Sequence, residues 1–169
     1  EVRTVRYKTS FTIPTYVMAF AIGSFRRAAT KAGGTLLEAY APEGSGENLE
    51  PILQSTARFL TRLESFLGPF PYSRYATVLL PEFPAGGMEN ASVSFLEETI
   101  AEDYVVAHEL AHQWFGDLVT LRDWDDLWIK EGMATLLTAE ARRFDLDRRE
   151  KGGFLSFNLS VEKNEAILD

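Results

Sequence analysis

The sequence predicts an α+β fold, a mixed sheet leading into helices, on three observations. Residues 1–25 are rich in Val, Thr, Tyr and Phe, and 75–80 form an unbroken Tyr-Ala-Thr-Val-Leu-Leu run, both compositions of extended segments. Apolar side chains recur at helical spacing over residues 48–67, 102–115 and 126–144. Between these runs lie the turn formers Gly33-Gly34, Pro42-Glu43-Gly44-Ser45-Gly46 and Gly68-Pro69.

Gly33-Gly34 divides two extended segments and predicts a hairpin. In the first helix Asn48 is placed to cap, Pro51 falls in the first turn, and Ile52, Leu53, Phe59, Leu60, Leu63, Phe66 and Leu67 line one face. Gly68-Pro69 ends it. Residues 75–80 and 91–95 are expected as strands separated by a loop rich in Pro and Gly. The second helix is closed by Gly116, and the third opens on Asp125-Asp126, carboxylates that complement the positive end of a helix. A weak final helix is expected in residues 145–169.

The chain has 169 residues, enough for one domain with an apolar core. Its 25 acidic and 17 basic side chains give a net charge of −8, which repels nucleic acid and anionic membrane surfaces and suits the cationic end of a substrate. Having no cysteine, it has no disulfide, thiolate nucleophile or cysteine-ligated metal; the compartment stays open. The apolar residues 11–25, interrupted by Pro14 and Gly23, are too short for a membrane span and are expected as a strand.

The chemistry is concentrated in His108-Glu109-Leu110-Ala111-His112. At four-residue spacing on a helix two imidazoles project from one face, one turn apart, as two ligands of a single tetrahedral zinc require, and Glu109 stands beside the metal position. Glu131, after eighteen intervening residues, lies in the next helix within Trp128-Ile129-Lys130-Glu131-Gly132 and is the candidate third ligand. A His₂Glu set leaves one corner open, the pattern of a catalytic rather than a structural zinc. Upstream, Gly86-Gly87-Met88-Glu89-Asn90 combines glycines that let a peptide backbone lie close with a carboxylate able to hold an ammonium group. By itself that loop reads as a glycine turn with a solvated glutamate.

A GxMEN-type loop, then HExxH followed by Gln113-Trp114-Phe115-Gly116, then Glu131 in a W-x-x-E-G context, resembles the gluzincin aminopeptidases, the family of aminopeptidase N. The resemblance implies a thermolysin-like catalytic domain over residues 26–169, incomplete at its C-terminal end, preceded in residues 1–25 by the closing strands of an N-terminal β domain. It implies one zinc ion on His108, His112 and Glu131, with Glu109 as general base and later general acid. Glu89 would anchor the substrate's free α-amino group, and Gly86, Gly87, Met88 and Asn90 would border the peptide. The substrate implied is a peptide with a free N-terminus, and the rest of a longer enzyme would pack on this segment.

The sequence also departs from the family pattern. Gly87 stands where alanine is common, an exchange expected to change little, and Asp117 stands where asparagine is common, behind the metal. The segment between Asn90 and His108 is short, and no tyrosine follows Glu131 to match the family's oxyanion donor. A thermolysin-type endopeptidase, or a zinc-holding segment that binds peptides without cleaving them, are the competing readings. Trp114, Trp124 and Trp128 are expected to be core packing. Asp123, Asp125 and Asp126 are expected as a loop and helix-start cluster, and Arg142, Arg143, Arg148 and Arg149 as a solvated helix end.

Overall fold

The computed structural model describes residues 4–6, 8 and 12–149. Strands β1 (Phe25–Ala32) and β2 (Thr35–Pro42) form the expected hairpin about Gly33-Gly34, with Phe25 opposite Pro42 and Ala32 opposite Thr35. Helix α1 (Glu50–Leu67) crosses from β2 to β3 (Arg74–Leu80), so β2 and β3 run parallel. The short β4 (Gly87–Met88) and β5 (Val93–Glu97) complete a five-stranded sheet in the order β1-β2-β3-β5-β4, with β5 parallel to β3 and β4 antiparallel at the edge. Helices α2 (Asp103–Ala111) and α3 (Leu127–Arg149) follow.

The core lies between the sheet and the helices. Leu37, Ala39 and Ala41 of β2 and Tyr75 and Leu79 of β3 meet Leu53, Phe59, Leu60 and Leu63 of α1, and Val106, Leu110 and Ala111 of α2 join the same cluster. Phe70 sits at its centre, edge-on to Tyr72, Tyr75 and Trp114 at centroid distances of 5.1–5.8 Å. The cap position of α1 falls on Leu49, which makes no side-chain cap bond, so Asn48 lies one residue before the expected cap; its side chain accepts the backbone N–H of Glu50 at 3.1 Å. Phe66, expected in the buried stripe, is exposed. No helix among the described residues is long and apolar enough to cross a membrane.

Three expectations are corrected. Residues 12–24 form no strand: they contain one 3₁₀ turn, Thr15–Val17, and leave Met18, Phe20 and Ile22 exposed. A strand needs a neighbour for its backbone groups, and in the described residues this stretch has only isolated contacts, among them Ala91 N–H donating to the Val17 carbonyl at 3.0 Å. The strand expected at 91–95 starts two residues later, because Ser92 has a positive φ of 64° and Val93 N–H turns back to the Asn90 carbonyl at 2.8 Å. Of the three tryptophans only Trp114 is core, whereas Trp124 and Trp128 are exposed. Small residues line the inner face of α3, where Ala134, Thr138 and Ala141 are buried beside Ala107 and Ala111 of α2. That close helix contact has no room for an indole. The helix expected in 145–169 lies partly in α3, which continues to Arg149, and otherwise outside the described residues.

Replacing Leu60, fully buried in α1, by Ala is expected to cost about 2–5 kcal/mol of stability, read as a lower urea midpoint at unchanged slope.

Candidate metal centre

Helix α2 delivers His108 on its last turn and His112 at its C-terminal cap. Helix α3 runs back beside it, since Glu131 near its start meets both imidazoles and Arg142, eleven residues on, lies over Tyr104 at the start of α2. The two helices are therefore antiparallel. His108 Nε2 and His112 Nε2 are 3.1 Å apart, and Glu131 Oε2 is 3.4 Å from each. A tetrahedron with metal–ligand bonds of about 2.0–2.1 Å has edges of about 3.3 Å, so these three atoms match one face of a zinc coordination shell.

The ligand chemistry agrees. His112 Nδ1 lies 3.0 Å from the Phe115 carbonyl, and donating to it fixes the tautomer whose Nε2 carries the lone pair. Burial pulls the His108 imidazole below its ordinary pKa, the neutral form a metal needs. His112 moves up because, against the same burial, it hydrogen-bonds to Glu131. That bond also holds the Glu131 carboxyl far below the usual carboxylate range, so it is ionised. Tyr104 stacks on His108 at 5.9 Å between ring centroids.

Glu109 is buried beside these three, with Oε2 lacking a hydrogen-bond partner, and burial pushes its carboxyl up to about 7. A carboxyl poised there can take and return a proton near neutral pH. A Cβ on Gly87 would collide with the Glu109 carboxylate, so the site loop lies directly against it. Because the atoms met are the end of a flexible side chain, an alanine there needs only Glu109 to swing away.

The loop carrying Gly86, Gly87, Met88, Glu89 and Asn90 is fastened to α2 by Gln113, which is fully buried. Its Oε1 accepts Ser92 N–H at 2.8 Å, and its Nε2 donates to the carbonyls of Glu89 at 3.3 Å and Asn90 at 3.4 Å. Glu89 is thereby buried within metal-ligand reach of Glu109 and His112. His108, His112, Glu131, Glu109 and Glu89 thus lie together, with Gly87 against the Glu109 carboxylate.

Three participants were not selected from sequence: Gln113, Lys130 and Tyr16. Lys130 points inward, its ammonium ion-paired with both Glu89 and Glu131. Tyr16 donates its hydroxyl to the Gly116 carbonyl at 2.9 Å and lies edge-on to Trp124. A usable signal existed for Lys130, which occupies the same helical stripe as buried Ala134, Leu137 and Ala141. The remaining acidic residues behave as expected, with Asp123 accepting Asp125 N–H at the turn before α3. Arg142 and Arg143 are exposed.

The fold and the His₂Glu face are those of the zinc-dependent HExxH class of proteins. Residues 52–151 match the peptidase family M1 domain, and the chain belongs to that family. It is 34% identical over 151 residues to aminopeptidase 2 of Candida albicans, covering 79% of this chain and 16% of that protein. It is 33% identical over 147 residues to aminopeptidase N of Acetobacter pasteurianus, covering 78% and 41% respectively. Among solved structures it resembles an M1 zinc metallopeptidase of Deinococcus radiodurans, a mutant bound to a Tyr-Ser-Ala substrate. That match has a TM-score of 0.70 and 31% identity, and covers 79% of this chain and 32% of the other. The chain thus spans less than half the length of these relatives.

Asp117, buried with both carboxylate oxygens unpartnered, is pushed up to about 9, by burial first and then by Glu89. Its folded pKa exceeds the unfolded value of about 3.9, so the folded state holds this proton more tightly. Stability is therefore lost as pH rises from about 4 to about 9. Replacing Asp117 by Asn in the zinc-free protein is expected to remove that loss, a benefit larger at pH 8 than at pH 5 by urea denaturation.

Proposed function

We propose that this chain carries the zinc centre of an aminopeptidase that hydrolyses the first peptide bond of peptides with a free N-terminus. His108, His112 and Glu131 would hold one zinc ion, supported by the match of their three facing atoms to a tetrahedral face. A zinc ion held there supplies Lewis acidity, which polarises a carbonyl and acidifies water. Glu109 takes the proton from the attacking water and passes it to the nitrogen of the leaving amine, so that water is added across the C–N bond. The backbone of Gly86 and Gly87 aligns the peptide, with Met88 and Asn90 at its border.

Glu89 carries the choice of an exopeptidase over a thermolysin-type endopeptidase. It is a buried carboxylate within reach of the metal ligands, where a substrate's terminal ammonium would find a counterion one residue from the scissile carbonyl. An endopeptidase substrate presents no such charge. The aminopeptidase names of the relatives support the same choice. Residues 26–169 are assigned to the catalytic domain and residues 1–25 to the end of a preceding one. The rest of a longer enzyme, of relatives' length, would complete the substrate pocket.

Glu109→Gln is expected to keep one zinc per chain by atomic absorption while kcat falls by about 10²–10⁴. Glu89→Ala should raise KM for free peptides. Parent enzyme should cut a peptide with a free N-terminus and leave its acetylated form intact; equal cleavage of the two would remove the role given to Glu89.

A further inference from the structure

We propose that Lys130 is a positioning residue whose single ammonium sets both the zinc ligand Glu131 and the amine anchor Glu89. The inference rests on the metal-centre reading above and assigns a part to a side chain that reading leaves unused.

The geometry is specific. Glu131 offers Oε2 to the two imidazoles, while its other oxygen, Oε1, lies 3.0 Å from Lys130 Nζ. The same Nζ is ion-paired with Glu89 Oε1. Glu131 is nearly half exposed, at 45% for its side chain, so packing alone does not fix its rotamer. A carboxylate free to rotate must be ordered when a metal binds. Held by Lys130 at one oxygen, it presents the other in a single-oxygen mode, which leaves the open corner of the site clear.

Lys130 is itself held. Its side chain is 7% exposed, and its stem passes the Cα of Gly116, where an added Cβ would lie 3.1 Å from Lys130 Cε. Gly116 also has a φ of +142°, so both space and backbone require glycine. The Tyr16 ring flanks the ammonium at 5.9 Å. On the far side Glu89 is as buried as the lysine, and a buried carboxylate without a counterion is costly. Lys130 therefore supplies the counterion of Glu89 and ties its Oε1, leaving Oε2 to receive the terminal ammonium. Zinc affinity and amine recognition are set by one group.

The test measures zinc affinity of the full chain by competition with a chromophoric chelator, without substrate. Lys130→Met is expected to weaken zinc binding about 10- to 100-fold, the range for partners of metal ligands, and to raise KM for a free-amine peptide more than it lowers kcat at saturating zinc. Lys130→Cys should behave alike. The chain has no other cysteine, so aminoethylating that variant while unfolded restores an ammonium at this position alone, and refolding should recover zinc affinity to within about threefold of the parent. Zinc affinity within twofold of the parent in Lys130→Met, with native circular dichroism, overturns the proposal. If that variant does not fold, the aminoethylated chain decides: recovered affinity supports the role, and a refolded chain that still binds zinc weakly overturns it. A parent chain with no zinc affinity sinks the metal-centre reading and this one with it.

Discussion

Between the end of α2 and the start of α3 four acidic side chains, Glu89, Glu109, Asp117 and Glu131, are gathered with two imidazoles and one ammonium, mostly out of water. Charges of one sign in a low dielectric repel and are poorly solvated, and this constraint governs the rest of the structure. Glu131 stays ionised because it has imidazoles and Lys130 as partners. At Glu109 and Asp117 burial outweighs the nearby cations and pushes both carboxyls up. A divalent cation at the His₂Glu face is the natural complement of such a cluster. The neighbours of each carboxylate thus give the four different charge environments.

The remaining elements hold that cluster in place. A parallel pairing of β3 and β5 puts the loop of residues 81–92 at the sheet edge, and β4 folds it back antiparallel. Gln113 then fastens the loop to the helix that carries both imidazoles. Because Gln113 directly follows His112, the metal ligand and the loop fastening share one helical turn. Gly87 and Gly116 mark the two points where backbone approaches functional side chains most closely.

The outer surface of this region is unusually apolar. Trp124, Trp128, Ile129 and Leu136 are exposed on and before α3, and Met18, Phe20 and Ile22 on the N-terminal stretch. Contiguous exposed apolar surface marks places where other protein or ligand surface packs.

Sequence alone determined whatever depends on short spacing or local propensity. The i, i+4 histidines had to share a helix face and Gly33-Gly34 had to turn, because each is decided within a few residues by backbone geometry. It also marked Glu131, Glu89 and the glycine loop as candidates. Only the tertiary structure decided which side chains meet across long separations. Lys130 turns toward Glu89, forty-one positions away, and Gln113 ties down Ser92. Two tryptophans face outward because small residues claim the contact between α2 and α3, and the stretch before β1 has no strand to pair with among the described residues. Such outcomes depend on what the rest of the chain places opposite a residue, and spacing along one segment carries no record of it.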